Sequence, residues 1–130
     1  MRCYVETSAA VKLLVEEPES AALASYLDGQ VDDGVELISS VLLETELRRF
    51  AVRHDLPQSA VSELLGHFAI ADVDRAIFFE AGILPGPQLR SLDALHIAVA
   101  VRTESDSIIA YDARQTEAAR AVGLRVTAPV

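Results

Sequence analysis

At 130 residues and 51% hydrophobic composition, the chain is long enough to close one core and too short for two independent ones. Its net charge of −9, from 20 acidic and 11 basic side chains, excludes a grip on nucleic acid through bulk positive field and confines any such role to a local patch or to bound cations. The single cysteine, Cys3, lies in an apolar run and reads as a small buried hydrophobe. It excludes an intrachain disulfide and a cysteine-based zinc site.

Arg2–Val5 is a short apolar run, followed by Ala9, Ala10, Leu13 and Leu14 at helical spacing before Pro18 interrupts. That predicts a strand, then a helix. Ser20–Leu27 reads as a second helix ended by Asp28-Gly29, and Val35–Ser39 as a strand after the Asp32-Asp33-Gly34 turn. Val41–His54 carries Leu43, Leu47, Phe50 and Ala51 on one helical face, and Pro57 opens a further helix to about Phe68. Ala69–Val73 is a short, weakly alternating run, and Asp74 is a natural cap for a helix over Arg75–Ala81. Gly82–Leu89, with two glycines and two prolines, predicts a loop. Ser91 starts a helix in which Leu92, Leu95, His96 and Val99 form an apolar stripe. Ser107–Tyr111 is apolar and β-branched, Asp112 and Gln115 resemble a capping box for a helix over Ala113–Val122, and Gly123 closes it before a last strand, Leu124–Val126.

Strands alternating with helices imply one α/β domain over residues 1–130, with a central, mostly parallel sheet of about five strands covered by helices on both faces. No apolar stretch reaches the roughly 20 residues of a membrane span, and the start at Met1 lacks the basic, long apolar pattern of a secretory leader. A cytoplasmic protein with no membrane role is expected.

In a parallel sheet, ligands bind where strand carboxyl ends meet helix N-termini. Glu6 ends the first strand, Asp112 ends the fourth, and Asp93 lies in the first turn of a helix after a loop. Crowded carboxylates without lysines are costly unless a hard cation neutralises them, and such oxygen donors select Mg²⁺ or Mn²⁺. Each acid also has an ordinary reading: Asp112 as an N-cap, Asp93 as a partner of the helix dipole, Glu6 as a solvated loop acid. Glu44 and Glu46 lie on opposite borders of the Leu43–Leu47–Phe50 stripe, and spacing alone does not choose between them. His96, on an apolar stripe, reads as a hydrogen-bonded core histidine.

Four segments carry a resemblance: Tyr4-Val5-Glu6-Thr7-Ser8-Ala9 with Lys12-Leu13; Ser39-Ser40 followed by Thr45-Glu46-Leu47-Arg48-Arg49; Ser91-Leu92-Asp93-Ala94-Leu95-His96-Ile97-Ala98; and Tyr111-Asp112-Ala113-Arg114. In this order and spacing the sequence resembles the PIN-domain ribonucleases, specifically the VapC-type toxins of toxin–antitoxin pairs. The resemblance selects Glu46 over Glu44. It implies a Mg²⁺- or Mn²⁺-dependent endoribonuclease with Glu6, Glu46, Asp93 and Asp112 as metal-binding and catalytic acids, and Thr7 or Ser8 orienting them. It also implies an RNA substrate, a cognate VapB-type antitoxin and a homodimer; the apolar faces of the helices over Ala21–Leu27 and Pro57–Phe68 are candidates either for that contact or for the core. Lys12, Arg48, Arg49 and Arg114 are the candidate RNA contacts. Two positions depart from the family pattern: Glu6 stands where aspartate is usual, and Ala110 where Thr or Ser is common. A second reading is therefore a degenerate PIN fold that binds RNA or protein without efficient cleavage. A phospho-receiver domain fits poorly, because the fourth and fifth strands offer no lysine. No glycine-rich phosphate loop follows any strand.

Overall fold

Successive side chains of a strand point to opposite faces, which puts Cys3 and Val5 of the first strand in one apolar layer and Tyr4 in the other. The computed structural model describes residues 1–130 and has a sheet buried on both sides in this way. In chain order the elements are β1 (Arg2–Val5), α1 (Thr7–Leu14), α2 (Ser20–Asp32), β2 (Glu36–Ser40), α3 (Val41–Arg53), α4 (Gln58–Leu65) and β3 (Ala69–Ala71). There follow α5 (Arg75–Gly82), α6 (Ser91–Arg102), β4 (Ser107–Ile109), α7 (Ala113–Ala121) and β5 (Arg125–Thr127). Every strand pairing is parallel, in the order β3-β2-β1-β4-β5, so the expected α/β architecture with five strands is what the protein has.

Leu37 of β2 and Ile109 of β4 join Cys3 and Val5 beneath α1–α4, where Leu43 and Leu47 are fully buried. Burial of each contributes roughly 2 kcal/mol. On the opposite face, Ile38 and Ile108 join Tyr4 beneath α5, α6 and α7. Helix α6 is buried continuously from Ala94 to Ala100, as a helix covered on several sides must be. The chain winds outward from β1 to β3, then returns to place β4 on the other side of β1. That reversal makes a switch point at the carboxyl end of β1, where a crevice opens between diverging connections.

Several local expectations are corrected. Helix α2 does not stop at Asp28-Gly29 but continues to Asp32. Its stop is a Schellman turn at Gly34 (φ 83°), with Gly34 N–H donating to the Val31 carbonyl and Val35 N–H to the Gln30 carbonyl. Helix α4 ends at Leu65 rather than near Phe68, and β4 ends at Ile109, two residues short of Tyr111. Leu92 is 47% exposed and not part of the buried stripe, for it lies in the first turn of α6, ahead of the stretch that is covered. At Gly123 the expected closure holds, with φ 90° and the same pair of backbone bonds back to Arg120 and Ala119.

Candidate acidic site at the carboxyl edge of the sheet

Glu6 leaves β1 and becomes the N-cap of α1, its Oε2 accepting from the Ser8 backbone N–H at 2.8 Å and from Ser8 Oγ at 2.5 Å. Ser8 Oγ in turn accepts from the Tyr111 N–H at 2.9 Å, which ties the exit of β1 to the segment ahead of Asp112. Glu6 is only 4% exposed. Burial pushes its carboxyl above the ordinary carboxylate range; the charge of His96 and the Ser8 bonds oppose this, and Glu46 adds to it.

Glu46 reaches back from α3 to the same edge, while Glu44 turns outward to pair with Arg48 at 2.9 Å. This is the choice that periodicity left open. Glu46 Oε1 accepts from Thr7 Oγ1 at 2.8 Å and from His96 Nε2 at 2.6 Å. Burial works to raise the Glu46 carboxyl, but the His96 bond and charge, with the Thr7 hydroxyl, outweigh it and hold the group below its usual range.

Asp93 sits half-buried in the first turn of α6. Burial, then the nearby charge of Asp112 and more weakly that of Glu46, push its carboxyl up. Asp112 is the N-cap of α7, with Oδ1 accepting from the N–H groups of Arg114 at 3.0 Å and Gln115 at 3.3 Å. The capping box is only half formed. The Gln115 side chain does not reach back but is buried and donates to the Asp93 carbonyl at 3.4 Å, linking α7 to α6.

Glu46, Asp93 and Asp112 line one open cavity of about 480 Å³ together with Arg90 and Arg114. Glu6 lies deeper and is not part of that lining. Protein hydrogen bonds occupy one carboxylate oxygen of Glu6, Glu46 and Asp112 and leave Glu6 Oε1, Glu46 Oε2 and Asp112 Oδ2 free. As donors these hard, mutually repelling oxygens suit a divalent cation such as Mg²⁺ or Mn²⁺. In arrangement they are loose, for no three such side chains are drawn together closely enough to hold an ion as they stand.

The basic candidates separate cleanly. Lys12 is tied to Glu17 and Glu19 and lies over the Tyr111 ring, and Arg48 is engaged by Glu44, Gln58 and Ser62. Arg114 faces the acidic cavity, joined there by Arg90, which the sequence reading missed although it directly precedes α6. Arg49 lines a second groove of about 470 Å³ beside Glu46, with Arg53, Phe50 and Leu42.

Fold and site together define an α/β domain with a carboxylate-lined crevice at the switch point of its sheet. The chain belongs to the PIN-domain family, whose profile matches residues 3–121. It is 42% identical over 132 residues to Ribonuclease VapC35 of Mycobacterium tuberculosis, covering 97% of this chain and 96% of that protein. Among solved structures it is similar to that of VapBC2 from Rickettsia felis bound to a promoter DNA fragment, with TM-score 0.81, 16% identity and all of both chains covered. It is also similar to Mycobacterium tuberculosis VapC20, a sarcin–ricin loop cleaving toxin, with TM-score 0.76, 15% identity, and 98% of this chain and 99% of that one covered. No helix is long and apolar enough to cross a membrane.

Proposed function

We propose that the chain is a divalent-metal-dependent endoribonuclease of the VapC type, a cytoplasmic toxin acting on RNA and restrained by a VapB-type antitoxin. The observation that carries this reading is the convergence of Glu46, Asp93 and Asp112 on one cavity that also holds Arg90 and Arg114. The naming of the 42%-identical relative as a ribonuclease supports it. Glu46 Oε2, Asp112 Oδ2 and the Asp93 carboxylate are the groups that would hold Mg²⁺ or Mn²⁺, with Glu6 Oε1 behind them. When bound, the cation supplies charge neutralisation at phosphate and an acidified water. The chain's own work is to fix the carboxylates through Thr7, Ser8 and the α7 backbone, and to offer Arg90 and Arg114 to the phosphates of the RNA.

The groove beside Glu46, walled by Leu42 and Phe50 and rimmed by Arg49 and Arg53, fits an amphipathic antitoxin segment laid across the acidic edge. Leu23, Leu27, Val61 and Leu65 of α2 and α4 are buried in the core, which leaves exposed Val31 and the groove it borders with Leu64 and Phe68 as what these helices offer a second copy. Phe78 and Phe79 of α5, with Ile83 just after it, form a second exposed apolar patch that a second copy could cover.

The test incubates purified protein with structured RNA and Mn²⁺ beside Asp112→Ala. Metal-dependent cleavage lost in the variant is expected; equal cleavage by both, or none by either, rejects the reading. The retreat of Glu6 from the cavity into a helix cap favours the second reading, a fold that binds without cutting efficiently. Calorimetry with Mn²⁺ separates the two. Unmeasurable binding that appears on Glu6→Asp would assign the defect to the extra methylene.

A further inference from the structure

His96 is fully buried and joins two sets of groups on opposite sides of its ring. On one side Nε2 lies 2.6 Å from Glu46 Oε1 and 3.2 Å from Thr7 Oγ1. On the other, the Tyr4 hydroxyl lies 2.7 Å from Nδ1 and 2.9 Å from Ser40 Oγ. The Tyr4 and His96 rings meet edge to face with centroids 5.7 Å apart. The chain Ser40–Tyr4–His96 thus starts inside the sheet and ends on a carboxylate at its edge. A core histidine needs partners only for its own two nitrogens, and water or a backbone carbonyl would serve. Here one partner is an acid of the candidate site, and the other is a buried tyrosine that fixes the ring's rotation.

The geometry points to Tyr4 and His96 as positioning residues for Glu46: Ser40 and Tyr4 hold the imidazole, and the imidazole with Thr7 holds Oε1, so that Oε2 alone is presented to a metal ion. An ionised carboxylate only accepts, so the proton of the His96–Glu46 bond lies on Nε2. A glutamate on a helix has three side-chain torsions to fix, and two donors converging on one oxygen fix the last of them. The inference rests on the metal-dependent reading above for the role of Oε2, but the positioning itself is a property of the metal-free protein.

Two measurements on full-length protein test it. In metal-free ¹H–¹⁵N NMR, the wild type should show a protected His96 Nε2–H signal that Tyr4→Phe, which keeps the ring and drops only the hydroxyl, shifts or broadens away. In calorimetry, Tyr4→Phe and His96→Leu should weaken Mn²⁺ binding by about tenfold or more, whereas His96→Gln, which keeps an N–H donor near the Nε2 position, should stay within about threefold of wild type. Thermal melts confirm that each variant compared is folded, and Tyr4→Phe carries the test if His96→Leu does not fold. An unchanged His96 signal in Tyr4→Phe overturns the proposal whatever the metal does. So does unchanged Mn²⁺ affinity in Tyr4→Phe when the wild type binds. If the signal is lost but the wild type binds no Mn²⁺, the metal reading fails and the positioning of Glu46 stands.

Discussion

The two ends of the acidic edge are built differently. At one end Glu6 and Glu46 are tied down by Ser8, Thr7 and His96, and Glu6 is almost wholly shielded from water. At the other, Asp93 and Asp112 face the open cavity between two arginines that Glu46 also borders, and of these two only Asp112 is tied, by the first backbone N–H groups of α7. The closed end sets geometry in advance; the open end is where a polyanion can approach. Preorganised carboxylates cost stability, and that cost concentrates where burial is deepest.

The largest expected effect lies at the open end. Asp112→Asn keeps an oxygen for the cap and removes the charge, so Mn²⁺-dependent RNA cleavage should fall by about a hundredfold or more while the melting temperature stays put. Asp112→Ala should show the same loss plus about 1 kcal/mol of destabilisation in a denaturant titration. A cleavage loss in Ala but not in Asn would mean that Asp112 is a cap and nothing more. Next, Arg90→Ala and Arg114→Ala should each weaken RNA binding by roughly tenfold and lower the salt slope of binding by about 1, measured by fluorescence anisotropy across ionic strengths. Lys12→Ala and Arg48→Ala, whose side chains are already paired, should leave both quantities near wild type.

The smallest effect belongs to the closed end and has the opposite sign for stability. With burial holding the Glu6 carboxyl above its ordinary 4.5, the folded protein keeps that proton to higher pH than the unfolded chain does. Its contribution to stability is therefore present in full below the unfolded value and lost as pH rises through the folded one. Glu6→Gln removes that loss, so in chelator the variant should gain on wild type as pH rises above the ordinary carboxylate value of 4.5. Parallel melting curves across that range would show that Glu6 is not penalised by its burial.

What could be read from the sequence followed local rules. Alternation in β1, the turn at Gly123, the placing of Glu6 at the end of β1 and the capping of α7 by Asp112 each depend on neighbours a few residues away, and each stands as expected. Gly29 misled because its propensity cost of about 1 kcal/mol is small beside the burial of Leu23 and Leu27 on the same helix, while Gly34, with its positive φ, is the true stop. Leu92 misled because helical spacing records which face a residue is on, not whether that face is covered at the helix end. Glu46 was legible only through family resemblance, since the partner that singles it out, His96, is 50 residues away. Tyr4 gave no signal at all: in an apolar strand it reads as core, and its hydroxyl finds a partner 92 residues further on.

The place of β1 at the middle of the sheet has a consequence for synthesis. Its partner on one side, β2, follows within forty residues, but on the other it pairs with β4, at Ser107–Ile109. A nascent chain that has passed Asp93 still has an unpaired edge along its central strand and no Asp112, so the acidic cavity cannot assemble until the last fifth of the protein has been made. An RNA-cutting protein so arranged would stay inert while its own messenger is being read beside it, and ribosome-stalled chains ending before β4 should be harmless to RNA.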